Sequence, residues 1–162
     1  MSVDGRPDAE AVDARGLTVA VVHGTWHPTI AAGLLAGARR TLREAGATVR
    51  EYAVPGSFEL PVVAHAALEA GADAAVALGV IIRGGTPHFD FVADAATRGL
   101  TEVALRTGKP VGFGVLTLDD EQQGLDRAGL PGSKEDKGAE AAAAAIVTAL
   151  RLREIRAEHP AP

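Results

Sequence analysis

From residue 17 onward the chain alternates two hydrophobic rhythms. Short runs rich in β-branched residues, LTVAVV at 17–22, TVREYAV at 48–54, AAVALGVII at 74–82 and VGFGVL at 111–116, read as strands, mostly apolar enough for burial on both faces. Between them apolar residues recur at helical spacing. Ile30, Leu34, Leu35, Ala38 and Leu42 form one stripe, with Arg39, Arg40, Arg43 and Glu44 off it. Val92, Ala96, Gly99, Leu100 and Val103 form another, opposed by Asp94, Arg98 and Glu102. Further helices are expected at 60–70, at 121–128 and, alanine-rich, from Lys137 to about Glu158. Residues 1–15 carry no hydrophobic period and are expected to form a flexible arm ahead of one domain over 16–159.

Four strands, each followed by a helix, imply consecutive βα units and a parallel sheet, with right-handed crossovers placing helices on both faces. The expected fold is therefore α/β, a three-layer α/β/α sandwich around a flavodoxin-like four-stranded parallel sheet. A length of 162 residues suits one such domain, and 4% aromatics beside 19 glycines imply an aliphatic, closely packed core. The net charge of -5 offers no electrostatic footprint for nucleic acid or an anionic membrane. The absence of cysteine excludes disulfides, thiolate zinc sites, iron–sulfur clusters and a cysteine nucleophile. No apolar run approaches the roughly 18 residues of a membrane span, and the polar, acidic start is unlike a targeting signal, so a cytoplasmic location is expected.

In open parallel sheets ligands bind beyond the carboxyl ends of the strands. That rule nominates HGTWHP at 23–28, VPGSFELP at 54–61, RGGTPHFD at 83–90 and TLDDEQ at 117–122. Three of the five histidines, the single tryptophan and Glu59 fall in the first three segments. In the third, Gly84 and Gly85 permit a tight turn, Thr86 can cap the next helix, and Pro87 suits its first position. A helix start behind such a turn favours an anion, most simply phosphate, and favours a neutral His88 able to accept a proton. The plainer alternative is a capped helix with a solvent-facing histidine. Trp26 suits a stacking wall or a core position, and Glu59 suits a hydroxyl ligand or the helix dipole. Arg127 reads as a solvated arginine near the end of a short helix. Lys137 opens a helix where the dipole disfavours a cation, so an anionic ligand or a carboxylate such as Asp136 is expected beside it. The histidines lack the spacing of a known metal signature, and no metal is expected.

The run ALGVIIRGGTPHFDFV, preceded by PGSFELPVVA and followed by GVLTLDDEQQGLDRAG and EDKGAEAA, closely resembles the 6,7-dimethyl-8-ribityllumazine synthase family of riboflavin biosynthesis. The likeness runs from about Leu17 to Glu158. It implies a cofactor-independent condensation of 5-amino-6-(D-ribitylamino)uracil with L-3,4-dihydroxy-2-butanone 4-phosphate. Trp26 matches the aromatic wall for the pyrimidine, Val80, Ile81 and Ile82 its lining, and Lys137 a lysine near it. Ser57, Phe58 and Glu59 match the ribityl-binding segment. Gly85, Thr86 and Arg127 match the phosphate site, His88 the proton-transfer residue, and Phe113 a position contributed by a neighbouring subunit. The resemblance also implies a homo-oligomer with sites between subunits, either a pentamer or a 60-subunit shell, and an association with riboflavin synthase. The long LPGSKEDKG connection favours the free pentamer. A flavin-binding module and a catalytically silent shell protein of the same fold are the competing readings.

Overall fold

The structure, a computed structural model, describes residues 5, 6 and 11–162. Its elements follow in the order β1 (Thr18–Gly24), α1 (Pro28–Glu44), β2 (Thr48–Val54), α2 (Leu60–Glu69), β3 (Ala74–Ile82), α3 (His88–Thr107), β4 (Val111–Leu118), α4 (Glu121–Leu125) and α5 (Lys137–Glu158). The strands lie parallel in the order β2-β1-β3-β4. The arrangement is the three-layer α/β/α, flavodoxin-like sandwich expected from the alternation of rhythms.

Each face of the sheet has its own core. The α1 stripe of Ile30, Leu34, Ala38 and Leu42 meets Ala141, Ala142, Ala145 and Ile146 of α5 over Val19, Val21, Val76 and Leu78. On the other face Leu60, Ala64 and Leu68 of α2 join Leu100 and Val103 of α3 over Ala20, Val22, Ala75 and Ala77. A fully buried leucine such as Leu34 contributes about 1.5–3 kcal/mol. The α1–α5 contact is unusually close. A Cβ on Gly138 would collide with the backbone carbonyl of Leu34, so only glycine lets these two helices meet there.

Several boundaries differ from the sequence expectation. β1 extends to Gly24 because His23 and Gly24 still pair with Ala53 and Val54 of β2, and β4 extends to Leu118 beside Ile82. A 3₁₀ turn, Ser57–Glu59, precedes α2. The expected helix at 121–128 stops at Leu125, after which the backbone carbonyl of Asp126 accepts from Lys134 and Glu135 and closes a loop. The expected arm at 1–15 lies partly outside the described residues, yet its end is anchored rather than flexible. Val12 packs on the core, Ala14 is fully buried, and the Ala14 N–H donates to the Ala45 carbonyl at 2.8 Å. Among the described residues no helix is long and apolar enough to cross a membrane.

The strand order reverses at the centre of the sheet. β1 leads through α1 to β2 on one side, and β3 leads through α3 to β4 on the other. The connections that leave the paired strands β1 and β3 therefore go to opposite faces of the sheet, which opens a crevice between them.

Candidate active site

A cleft of about 360 Å³ occupies that crevice, within the roughly 300–1,000 Å³ usual for small-molecule sites. Three segments line it. The first, leaving β1, brings Trp26 and His27. Trp26 is 66% exposed and lies against Gly56, where an added Cβ would stand 3.2 Å from indole Cδ1. Glycine there allows the ring to rest on bare backbone.

The second segment is the turn after β2. The Glu59 carboxylate accepts from the Gly56 N–H at 3.0 Å, which fixes it beside the same glycine that supports Trp26. Ser57 is buried, and its Oγ has no hydrogen-bond partner within the chain. It packs against Gly79, where any Cβ would strike it. Phe58 is exposed and completes this wall.

The third segment continues from β3. Val80 and Ile81 are buried and Ile82 is half-buried, giving an apolar lining. The chain then turns through Gly84 and Gly85 to Thr86, whose Oγ1 accepts a long, 3.4 Å bond from the His88 N–H. Pro87, with φ of -65°, takes the capping position, and α3 begins at His88, one residue later than expected. Thr86 and His88 line the cleft. Gly85 does not, and nothing lies within 4 Å of where its Cβ would be. Arg83 braces this turn, with its guanidinium 4.3 Å over the Phe89 ring, 3.2 Å from Asp119 and 3.6 Å from Asp90.

Phe113, Arg127 and Lys137 stand apart from this cleft. Phe113 is 48% exposed on the edge strand β4. An isolated antiparallel bridge pairs Ala128 with Asp136, and the Lys137 N–H donates to the Arg127 carbonyl at 2.9 Å. The two cationic residues therefore adjoin. Arg127 donates to the Gln123 carbonyl at 2.9 Å and lies 4.0 Å from the buried Glu135 carboxylate. Lys137 contacts Glu135 at 2.5 Å and Glu140 at 2.8 Å. The carboxylates expected beside Lys137 are therefore Glu135 and Glu140 rather than Asp136. Asp136 instead caps α5 by accepting from the Ala139 N–H at 3.0 Å, and it pairs with Arg40. Burial disfavours the Lys137 charge, but the bonds from Glu135 and Glu140 outweigh it and raise the lysine above its ordinary value. Burial likewise pushes Glu140 up, while Lys137 and Arg6 prevail and hold it below the usual carboxylate range.

The strand-end rule brought Trp26, Ser57, Glu59, Thr86 and His88 to one place. The nominated segments also hold His27, Gly56, Gly84 and Phe89, which were given no binding role, and Val92 lies beyond them; all five line the cleft. His27 was open to detection, since it lies between Trp26 and Pro28 in a nominated segment. His23 belongs to β1 and is half-buried; burial lowers its pKa, with Glu51 opposing and Arg39 adding to that shift. Among the described residues no three His, Cys, Asp or Glu side chains form a metal-holding group.

An aromatic wall, a carboxylate and a glycine-rich turn leading to a histidine are gathered at the switch point of a doubly wound sheet, where α/β proteins of this class bind small molecules. The pattern of the 6,7-dimethyl-8-ribityllumazine synthase family matches residues 16–153, and the chain belongs to that family of riboflavin-biosynthesis transferases. It is 70% identical over 158 residues to the 6,7-dimethyl-8-ribityllumazine synthase of Clavibacter michiganensis subsp. michiganensis, covering 96% of this chain and 99% of the relative. The protein of that name from Leifsonia xyli subsp. xyli is 70% identical over 157 residues, covering 96% and 99%. That from Kineococcus radiotolerans is 63% identical over 154 residues, covering 94% and 95%.

Proposed function

We propose that the protein condenses 5-amino-6-(D-ribitylamino)uracil with L-3,4-dihydroxy-2-butanone 4-phosphate to give 6,7-dimethyl-8-ribityllumazine, phosphate and water. The observation that carries this reading is the convergence of Trp26, Glu59, Thr86 and His88 on one cleft in a chain of this family.

In this reading the pyrimidine stacks on Trp26 over the apolar floor of Val80, Ile81 and Ile82. Its ribityl arm runs along Ser57, Phe58 and Glu59, whose carboxylate accepts from the hydroxyls. The butanone phosphate sits at the turn of Gly85 and Thr86, where backbone N–H groups and the positive end of α3 favour an anion. The 5-amino nitrogen attacks the ketone carbon, and water leaves to give an imine. Loss of a proton and cleavage of the carbon–oxygen bond to phosphate follow, giving an enol that tautomerises to a ketone. The ribitylamino nitrogen then attacks that ketone, and a second water departs. His88, at the start of α3 beside the phosphate, takes and returns protons in these steps. Because two substrates must be held face to face, positioning supplies most of the acceleration.

Phe113, Arg127 and Lys137 lie outside the chain's own cleft, which supports a site completed by a second copy. There Arg127 binds the phosphate, Lys137 stands near the pyrimidine, and Phe113 closes one side. The assembly we favour is a cytoplasmic homopentamer that associates with riboflavin synthase and needs neither metal nor organic cofactor. The exposed Phe58, Val62 and Phe91 supply apolar surface suited to contact between copies.

The test is formation of the lumazine chromophore from both substrates with EDTA present. Wild type is expected to form it, and His88→Ala to slow turnover roughly 10²–10⁴-fold, the usual contribution of a general acid–base group. No product from a folded oligomer would refute the activity, and wild-type kcat in the variant would remove His88 from the mechanism.

A further inference from the structure

His27 is the single non-glycine residue with positive φ among the described residues, at φ 54° and ψ 71°. Two steric rules oppose this conformation. Residues other than glycine seldom enter the left-handed region, although histidine does so more often than most, and a residue before proline, here Pro28, is driven toward extended backbone. Such strain persists only where the surroundings over-determine it, and it concentrates at functional sites. Here the chain is held on both sides. The His27 carbonyl accepts from the Ala31 N–H at 2.9 Å, and Pro28 starts α1. Just upstream, the Thr25 hydroxyl donates to the Pro55 carbonyl at 3.0 Å.

The kink has a geometric result. Successive side chains of an extended chain point in opposite directions. At this turn Trp26 and His27 both line the cleft, with ring centroids 6.3 Å apart and planes inclined by 45°. We propose that His27 determines specificity, its imidazole hydrogen-bonding the polar edge of the pyrimidine stacked on Trp26. A uracil edge alternates carbonyl acceptors with N–H donors, and a neutral imidazole carries one donor and one acceptor, so either tautomer has a partner there. The inference rests on the function proposed above. It assigns a distinct task within the chain's own cleft, because Ser57 and Glu59 serve the ribityl arm, Thr86 the phosphate and His88 proton transfer.

The experiment is calorimetric titration of the intact oligomer with 6-(D-ribitylamino)uracil, which lacks the attacking amino group, and separately with inorganic phosphate. His27→Gly removes the imidazole and suits the left-handed backbone. His27→Asn tolerates that backbone and keeps a hydrogen-bonding group. The glycine variant is expected to bind the uracil about tenfold more weakly, the value of one hydrogen bond. Its phosphate affinity stays unchanged, its melting temperature is equal or higher, and in turnover KM for the pyrimidine rises while kcat holds. The asparagine variant recovers most of the loss. Unchanged uracil affinity in His27→Gly overturns the inference, as do matched losses of uracil and phosphate affinity with a lower melting temperature. A wild type that binds neither probe and forms no lumazine fails one level higher, at the functional reading itself.

Discussion

Ser57 offers a test in which stability and activity move in opposite directions. The residue is 7% exposed at the cleft wall, and its hydroxyl has no hydrogen-bond partner within the chain. A buried polar group left unsatisfied costs about 1–3 kcal/mol. Ser57→Ala deletes that group and leaves a gap of one oxygen over Gly79, a small packing loss. The net expectation is a stabilisation of about 1 kcal/mol, or a rise of roughly 2–4 °C in melting temperature for a chain of this size. If the hydroxyl is held in reserve for the ribityl arm, the same variant raises KM for the pyrimidine about five- to tenfold with kcat little changed. Thermal melts at fixed protein concentration, since the oligomer makes Tm concentration-dependent, and steady-state kinetics read the two effects. A variant less stable than wild type would show that the hydroxyl is satisfied and refute the argument. A stabilised variant with unchanged KM would take Ser57 out of the ribityl site.

Further outcomes are equally concrete. Arg127→Ala and His88→Ala should each be nearly inactive alone, yet regain activity when co-assembled, because one residue lies in the cleft and the other outside it; no recovery would mean that one chain supplies both. Glu140, held low by Lys137 and Arg6 against the upward push of burial, contributes stability above the ordinary glutamate range and loses it as pH falls through its lowered value. The difference in unfolding free energy between wild type and Glu140→Gln should therefore be full at neutrality and shrink on acidification, and a flat difference down to about pH 3 would contradict the pairing. Gly138→Ala should destabilise by about 1–3 kcal/mol in denaturant titration despite alanine's better helix propensity, because its methyl meets the Leu34 backbone rather than a mobile side chain. Equal or greater stability would show that α1 and α5 have room to part.

The strands were legible because β3 and most of β1 are buried on both faces, and the α1 stripe because one face alone is buried. Their ends were not. His23 looks like a loop residue until β2 supplies a pairing partner for it. That a carboxylate would face Lys137 was legible, but which one was not. The adjacent carboxylate was the natural candidate, but capping α5 and pairing with Arg40 occupy it, and Glu135 and Glu140 reach the lysine from either side. Residues 11–15 carry no period because their anchoring depends on Val12 and Ala14 alone. At the candidate site, the segments nominated by the strand-end rule lie together because parallel topology brings successive βα turns to one edge whatever their separation in sequence. Arg127 read as a solvated arginine until the family resemblance, Lys137 stood out as a cation at a helix start, and the place of both outside the cleft is not visible in local pattern. The torsion of His27 was hidden for a different reason: it runs against the local preference that Pro28 sets and is held by the Ala31 and Thr25–Pro55 hydrogen bonds.

The chain has one tryptophan, and that residue stands at the mouth of the cleft, 66% exposed. Its ultraviolet-excited emission therefore comes from a single, already hydrated indole. A flat ring laid upon that indole quenches it directly, with no change in the aliphatic core. The protein's own fluorescence is thus a gauge of occupancy.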